Sequence, residues 1–328
     1  MGTIGLLANP ASGKDVRRLV ARASVFDNQE KRAIVRRVIL GAIAGGADRF
    51  IYHKDAHGIV SQALEEVAAE VDATPVDATQ MGSALDTISA ARAMRDVGCD
   101  LVITLGGDGT NRAFCLGWPD APLLPISTGT NNVFPILTEA TVAGAAAGLA
   151  ASGQVGGEVF AQQKRIHVEI EGERDDLALI DALLTRERFV GARALLKPEQ
   201  FGSALLTRAE PAAVGITSIG GLLHPIDNAS DTGLWLEFAD GERKAKTTVR
   251  APIAPGLYQP IGIASHQPIQ LGQTIRTQGP GTLAFDGERE RTLAPGQEAR
   301  LTLKRDGPHV IDVVAALQRA AALGSFSR

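Results

Sequence analysis

The sequence has few of the residues from which cross-linked or metal-stapled folds are built. Its 328 residues include two cysteines, Cys99 and Cys115, which do not form a C-x-x-C pair. A disulfide framework and a cysteine-rich metal site are therefore excluded, and a reducing cytoplasm is the expected location. The N-terminus has no basic segment before its short apolar run, and no apolar run reaches the roughly 18 residues of a membrane span. We expect a protein that is neither exported nor inserted in a membrane.

The chain also lacks a strong charge of either sign, with 33 Lys and Arg against 37 Asp and Glu spread evenly along it. Nucleic acids and anionic membranes are recognised by basic patches, so neither is an expected partner. Aromatic residues make up 4% of the chain, whereas glycine occurs 36 times. This bias favours many tight turns and ligand loops lined by backbone. The length suggests two domains.

The first half alternates short apolar runs with stretches of helical periodicity, which indicates a parallel sheet covered by helices on both faces. The predicted strands are Thr3–Ala8, Arg49–His53, Cys99–Leu105 and Pro122–Ile126. The predicted helices are Asp27–Ile43, Gly58–Glu70, Ala84–Arg95 and Ala140–Ala151, and the first opens with a capping pair, Asp27 and Glu30.

The sequence changes character after Ser152. A glycine-rich break, GQVGGE, precedes runs that alternate at period two, such as HVEIE, LWLEF and RLTLK, which predict an antiparallel β-domain. Helical spacing returns from His309. We predict an α/β domain over residues 1–153, a β-rich domain over 154–308 and a C-terminal helix over 309–328 that packs back on the first domain.

The segment LVITLGGDGTN, residues 101–111, is a buried-strand run that ends in a glycine-rich turn. Gly106, Gly107 and Gly109 allow backbone N–H groups to approach an anion closely, and a following helix would add its positive N-terminal dipole. A polyphosphate fits this environment. Asp108 in its middle suggests a role with a metal ion or an acceptor hydroxyl; the alternative is an ordinary turn with Asp108 as a helix N-cap.

Two commoner phosphate motifs do not fit. A dinucleotide fingerprint starting at Gly107 would need glycine or alanine at Arg112. The stretch ANPASGKD has Ala8 in place of the first glycine of a P-loop and Asp15 in place of its hydroxyl. What remains after the first strand is a polar loop that either contacts phosphate or forms a surface turn. Its candidate ligands are Asn9, Ser12, Gly13 and Lys14.

A third polar loop, PISTGTNN at residues 125–132, follows another short apolar strand. It is dense in hydroxyl and amide groups that hydrogen-bond phosphate or ribose. Its candidate ligands are Thr128, Gly129, Thr130, Asn131 and Asn132. Because the carboxyl ends of parallel strands meet at one edge of a sheet, we expect all three loops to converge on one crevice.

The segments NPASGKD, LGGDGTNRA and PISTGTNNVFP, in this order and spacing, resemble the NAD kinase and diacylglycerol/sphingoid kinase superfamily, and within it the acetoin catabolism protein X group. The similarity continues in ITSIGGLLHP, residues 216–225, and LAFDGERE, residues 283–290. It therefore covers nearly the whole chain.

The resemblance implies a nucleotide in the cleft between an NAD kinase-like α/β domain and a β-rich domain. It makes Asp108 the catalytic or metal-linked carboxylate and the glycines around it the phosphate cradle. Thr110, Asn131 and Asn132 match nucleotide-contacting positions. It further implies ATP with Mg²⁺, NAD(P) as the alternative ligand, and a homo-oligomer.

Three departures from the superfamily concern the acceptor. EPAAVG, residues 210–215, stands where NAD kinases have Thr-Gly-Ser-Thr-Ala-Tyr, and residues 179–181 read Leu-Ile-Asp in place of Leu-Asn-Glu. The loop ending at Asn132 is one residue longer than that of the lipid kinases. Neither NAD nor a lipid is thus the expected acceptor. Asp181, Asp286 and Glu288 are acceptor or metal candidates, with a hairpin turn at Asp286-Gly287 as the alternative.

The leading hypothesis is a cytoplasmic ATP-dependent kinase of acetoin catabolism that acts on a small hydroxyl-bearing molecule. The alternatives are a nucleotide-binding sensor or accessory protein without catalysis, and a structural subunit of an acetoin-degrading complex. His53 and His57 are four residues apart, but their surroundings are polar and glycine-containing, so we predict two solvent-facing loop histidines rather than a metal site.

Overall fold

The computed structural model describes residues 2–13, 27–67, 71–129, 132–186 and 198–327, and of residues 289 and 290 the backbone alone. The first part of the chain forms β1 (Gly2–Ala8), α1 (Asn28–Ala44), β2 (Ala47–Tyr52), α2 (Ile59–Glu65), β3 (Asp72–Pro75), α3 (Ala84–Val97), β4 (Leu101–Gly106), α4 (Asp108–Gly117), β5 (Pro122–Ser127), α5 (Ala140–Ala151) and β6 (Phe160–Gln162).

The remainder is mostly strand. It forms β7 (Arg165–Ile170), β8 (Asp176–Ala178), β9 (Asp181–Thr185), β10 (Phe201–Leu206), α6 (Ile216–Leu223), β11 (Thr232–Phe238), β12 (Thr247–Ala254), β13 (Leu257–Gln270), β14 (Thr274–Gln278), β15 (Gly281–Phe285), β16 (Glu288–Leu293), β17 (Glu298–Lys304), β18 (His309–Ile311) and α7 (Val313–Ala322).

The first sheet has the order β3-β2-β1-β4-β5-β18-β6, with all pairs parallel except β18 with β6. Helices α1, α2, α5 and α7 cover one face of this sheet, and α3 and α4 cover the other. Because both faces are covered, the central strand β4 is buried at every residue, as its continuous apolar run predicts. In open sheets of this kind, ligands bind at the carboxyl edge of the strands.

Helices α1 and α5 cross unusually closely because each has glycine at the crossing. A Cβ added to Gly144 would overlap the carbonyl oxygen of Val38, and one added to Gly148 would overlap that of Ala42. Apart from Leu149, the buried residues of α5 are alanine and glycine, so most of its buried face carries small side chains. This close packing fixes the second half of α1 against α5.

The β-rich part consists of two antiparallel sheets packed face to face around one apolar cluster. The larger has the order β12-β13-β11-β10-β9-β15-β16, and the smaller the order β14-β17-β7-β8. The alternating runs HVEIE, LWLEF and RLTLK lie in β7, β11 and β17, as their period predicts. Helix α6 packs on the opposite face of the larger sheet.

The predicted fold class is confirmed: a parallel α/β region, a β-rich region and a C-terminal helix. The helix α7 packs with α5 on the first sheet, and strands β6 and β18 also join that sheet. The domain boundaries at residues 153 and 308 stay predictions. The short strand β3 was not predicted because DATP has no strand-like pattern. No helix in the described part of the chain is both long and apolar enough to cross a membrane.

Candidate ligand cleft at the carboxyl edge of the parallel sheet

Three loops meet where β1, β4 and β5 end, and hydrogen bonds join them. The Nδ2 of Asn9 donates to Oγ1 of Thr110 over 2.8 Å, which ties the first loop to the start of α4. The hydroxyls of Ser12 and Thr128 lie 2.8 Å apart, which ties the first loop to the third. The structure therefore brings together residues that are more than 100 positions apart in sequence.

Asp108 joins the second loop to the third. Its side chain is 8% exposed, and its Oδ1 accepts from the Phe134 N–H at 2.8 Å. Both of its oxygens also lie 3.1 Å from the Val133 N–H. Helix α4 has Gly107 as its N-cap residue, so the alternative that Asp108 is the N-cap is wrong. The carboxylate instead holds the chain just beyond the third loop.

The three loops enclose a cavity of about 370 Å³. The predicted site residues on its wall are Asn9, Ser12, Gly13, Gly107, Asp108, Gly109, Thr110, Gly129, Asn132, Asp286 and Glu288. Gly106, Thr128 and Asp181 are not on the wall: the first two adjoin wall residues in sequence, and the Asp181 N–H donates to the Asp286 carboxylate. Lys14, Thr130 and Asn131 are outside the described residues. The wall combines backbone, hydroxyl and amide groups with carboxylates.

Two glycines of the cleft lie in close contact with neighbouring side chains. A Cβ at Gly107 would lie 2.9 Å from Oδ1 of Asn132, and a Cβ at Gly109 would clash with the Glu288 carboxylate. Asn132 is itself fixed, since its Nδ2 donates to Oγ of Ser127 at 2.6 Å. The start of α4 thus meets the third loop on one side and the β15–β16 hairpin on the other.

Asp286 and Gly287 form the two-residue turn of the β15–β16 hairpin, with φ values of 51° and 79°. The Asp286 carboxylate accepts the backbone N–H groups of Leu179, Ile180 and Asp181 at distances of 2.7 to 3.1 Å. Burial raises the pKa of this carboxyl, against the effect of those hydrogen bonds. Asp286-Gly287 is thus a hairpin turn, and the Asp286 side chain anchors it to the start of β9. The acceptor or metal role of Asp286 and Glu288 stays a prediction.

A second wall of the cavity was missed at the sequence level. It comes from the end of β2 and the start of α3 and includes His53, Lys54, Asp55, Gln80, Ser83, Asp86 and Thr87. His53 is 6% exposed, so the prediction of a solvent-facing histidine is wrong for this residue. The parallel sheet places β2 beside β1, and this buries a side chain that local polarity suggested was exposed.

Two titratable groups of this wall are shifted. Burial lowers the pKa of His53, although Asp86 and Asp55 oppose the shift, and so the neutral imidazole is favoured. For Asp86, burial is outweighed by backbone hydrogen bonds, and the pKa of its carboxyl is lowered. The N–H groups of Met81 and Gly82 donate to it at 2.8 and 2.7 Å. Asp86 therefore serves as part of the capping box at the start of α3.

Lys31 is a further residue that sequence analysis missed. It is completely buried on α1, and its Nζ donates to carbonyl oxygens of the first loop. The signal was available, because Lys31 stands three and four residues before Ile34 and Val35, on the apolar face of the helix. A charged residue in that position calls for a buried polar partner.

The chain was compared with known families and proteins. Residues 4–155 match the model of the ATP-NAD kinase N-terminal domain, and residues 164–306 match that of the acetoin catabolism protein X C-terminal domain. Acetoin catabolism protein X from Cupriavidus necator is 35% identical over an alignment of 332 positions, which covers 97% of this chain and 92% of that protein. An uncharacterized protein from Archaeoglobus fulgidus is 26% identical over 134 residues, 41% of this chain and 36% of its own.

Among solved structures, a putative diacylglycerol kinase from Bacillus anthracis has a TM-score of 0.50 at 12% identity, over 94% of this chain and 97% of its own. Yeast NADH kinase complexed with NADH has a TM-score of 0.49 at 14% identity, over 100% of this chain and 88% of its own. The first likeness is one of fold. The 35% identity with the Cupriavidus protein over nearly the whole chain, and the match to the C-terminal domain model, also show the family. With its NAD kinase-like scaffold, the chain belongs to the acetoin catabolism protein X family.

Proposed function

We propose that this protein is a cytoplasmic ATP-dependent phosphotransferase of acetoin catabolism that acts on the hydroxyl group of a small molecule. The observation that carries the proposal is the convergence of three polar loops on one cavity, joined by the Asn9–Thr110, Ser12–Thr128 and Asp108–Phe134 contacts. The family relationship supports the pathway, since the relative is named for acetoin catabolism. The acceptor is left as a class, a small hydroxy compound.

The wall of the cavity suits a polyphosphate. Gly107 and Gly109 place side-chain-free backbone at the start of a ten-residue helix, where N–H groups and the helix dipole favour an anion. The side chains of Asn9 and Thr110 add an amide and a hydroxyl donor, and the Ser12 hydroxyl lies beside them on the wall. These residues would hold the nucleotide, and ATP would supply the phosphoryl group as a substrate.

A divalent ion fits as a companion of the phosphates. Within the described residues, no three His, Cys, Asp or Glu side chains are grouped to hold a metal. Mg²⁺ commonly binds through one or two carboxylates together with substrate phosphates and water, and so needs no larger group. Asp108 and Glu288 are the wall carboxylates nearest the start of α4 and would serve in this way.

Asp108 is proposed to act in the reaction as well as in the fold. Its carboxylate holds the backbone of Val133 and Phe134 and lies on the wall of the cavity. It would accept the proton of the acceptor hydroxyl as the oxygen attacks the terminal phosphorus and ADP leaves. Positioning by the loops accounts for most of the rate enhancement in this proposal.

The test is ATP consumption by the purified protein with magnesium, measured with and without a panel of short hydroxy compounds. We expect one acceptor class to stimulate ADP release, and we expect Asp108→Asn to abolish that stimulation. Asp312→Asn is the matched control, because Asp312 also accepts a backbone N–H at a helix start but caps α7. ATP that binds without turnover across the panel would contradict the phosphotransferase proposal.

A second candidate is a nucleotide-binding sensor or accessory protein without catalysis. One observation favours it: the carboxylates of Asp108 and Asp286 are both engaged by backbone N–H groups, which gives each a structural role. NAD(P) is then the alternative ligand. Thermal shifts with NAD or NADP but not with magnesium and ATP would support this candidate. Homo-oligomerisation is proposed in either case and is tested by sedimentation velocity.

A further inference from the structure

Lys31 is a fully buried lysine beneath the first loop of the cleft. Its Nζ donates to the carbonyl oxygens of Ser12 at 2.7 Å, Asn9 at 3.0 Å and Pro10 at 3.1 Å. The Oδ1 of Asn28 lies 3.5 Å away. A buried ammonium is costly unless its protons are satisfied, and here three carbonyls accept them. The lysine therefore fixes the direction of three carbonyl groups in one short loop.

These contacts determine which way the loop faces. Because a trans peptide is planar, the Ser12 carbonyl directed at Lys31 places the Gly13 N–H on the opposite side of that peptide. Gly13 has a φ of 72°, which favours glycine, and lies on the wall of the cavity. The negative ends of the loop's peptide dipoles thus point to the lysine, and the positive end of the Ser12–Gly13 peptide points away from it.

The charge on the cavity wall makes a buried cation useful. The wall carries five carboxylates: Asp55, Asp86, Asp108, Asp286 and Glu288. Among the described wall residues, Lys54 is the only lysine or arginine. An anionic ligand would therefore meet an unfavourable potential unless positive charge came from behind the wall. Lys31 lies one loop away and is shielded from solvent, so its field is screened less than that of a surface lysine.

We propose that Lys31 is a positioning residue that makes the first loop an anion-binding element, through its charge and its hold on the loop carbonyls. The lysine does not touch the ligand. This inference rests on the proposed function, because it assumes that the cleft receives phosphate groups. Lys31 would thus be a residue outside the three loops whose charge and contacts affect the affinity for anions.

The experiment compares Lys31→Met, Lys31→Arg and Lys164→Met. Lys164 is the matched control because it is also fully buried and donates to two backbone carbonyls, those of Asp227 and Thr232, in the β-rich region. Affinities for orthophosphate and tripolyphosphate are measured by calorimetry, and hydrogen exchange follows the amides of residues 11–13. The free full-length protein is used throughout.

For Lys31→Met we expect affinity to fall about threefold for orthophosphate and about tenfold for tripolyphosphate, because Coulomb energy grows with ligand charge. Exchange in the first loop should become faster. Lys31→Arg should recover part of the tripolyphosphate affinity, and Lys164→Met should change neither readout. If Lys31→Met does not fold, Lys31→Arg provides the test. Arginine retains the positive charge, so Lys31→Arg must still bind tripolyphosphate.

Equal losses for the two anions would overturn the role of the charge, and unchanged exchange in Lys31→Met would overturn the hold on the loop. If the wild-type protein binds neither anion, the proposed function fails and the anion role of Lys31 fails with it. The hydrogen-exchange measurement still separates the anion role of Lys31 from its positioning role. Faster exchange of the loop in Lys31→Met alone supports the positioning role without any ligand.

Discussion

Arg112 on α4 donates from Nη2 to Oδ1 of Asp176 on β8 over 2.6 Å, in a pair that is almost completely buried. Its Nε also donates to the Leu177 carbonyl at 2.7 Å, and its guanidinium lies over the Phe285 ring at 5.0 Å. The helix that begins at the glycine-rich turn is thereby joined to strands of the β-rich region. Arg112, which does not fit a dinucleotide fingerprint, thus links the α/β region to the β-rich region.

We expect Arg112→Met to destabilise the protein strongly, because the buried Asp176 carboxylate would lose the Arg112 guanidinium and keep that of Arg291, at 3.0 Å. Loss of one partner of a buried pair costs about 3–5 kcal/mol. Urea unfolding measures the change. Arg95→Met is the control, since the Arg95–Asp96 pair is exposed and should contribute less than about 1 kcal/mol. Equal stability of the two variants would show that the buried pair is not a link.

A second prediction concerns the contact between Asp108 and the third loop. Asp108→Asn keeps one carbonyl oxygen but turns the other position into a donor that faces the Val133 N–H. We expect a loss of about 1–3 kcal/mol in unfolding free energy, the cost of a buried polar group left unsatisfied. Thermal unfolding with and without ATP measures it. Nucleotide affinity should fall as well, because the loop that carries Asn132 moves.

Wild-type stability in Asp108→Asn would contradict the contact seen in the structure. Lost turnover with wild-type stability and affinity would instead indicate that the carboxylate has a purely chemical role. Asp312→Asn again controls for removal of a carboxylate that accepts a backbone N–H.

The close crossing of α1 and α5 gives a third prediction. Gly148→Ala would place a methyl group against the Ala42 carbonyl oxygen, so the helices must separate. Overpacking of this kind costs about 1–3 kcal/mol. Gly157→Ala is the matched control, because nothing lies within 4 Å of its added Cβ. Urea midpoints that fall for both variants alike would argue against the close crossing.

A fourth prediction follows from the buried Lys164. Burial, aided by the charges of Arg305 and Arg208, lowers the pKa of this lysine to about 8. Between about pH 8 and the ordinary lysine range the unfolded chain then binds more protons than the folded one, so the contribution of Lys164 to stability rises with pH. The difference in unfolding free energy between wild type and Lys164→Met should change by about 3 kcal/mol across this window.

The comparison with Lys164→Met is needed because other groups titrate in the same range. Burial raises the pKa of Cys99 to about 12 and also raises that of Cys115, so both thiols oppose the trend in the wild type. These groups are common to both proteins and cancel in the difference. A flat difference between pH 7.5 and 10.5 would show that the folded lysine keeps an ordinary pKa.

Local sequence patterns determined several elements of this protein. The period of 3.6 marked α5 as Ala140–Ala151, its residues in the structure, and Asp27 caps α1 by accepting the Glu30 N–H at 2.7 Å. The Asp-Gly pair marked the β15–β16 turn. These features could be predicted because their causes lie within a few residues of one another: capping, turn conformation and the alternation of apolar side chains.

Only the tertiary structure decided which polar groups became partners. Asp108 takes its hydrogen bonds from Val133 and Phe134, and Lys31 takes its acceptors from the loop before α1. His53 is buried because β2 pairs with β1. No local pattern encodes such pairings, because they depend on the order of strands in the sheet and on how closely the helices pack over it. The sequence by itself thus determined the loops of the cleft, and packing determined the charges that face them.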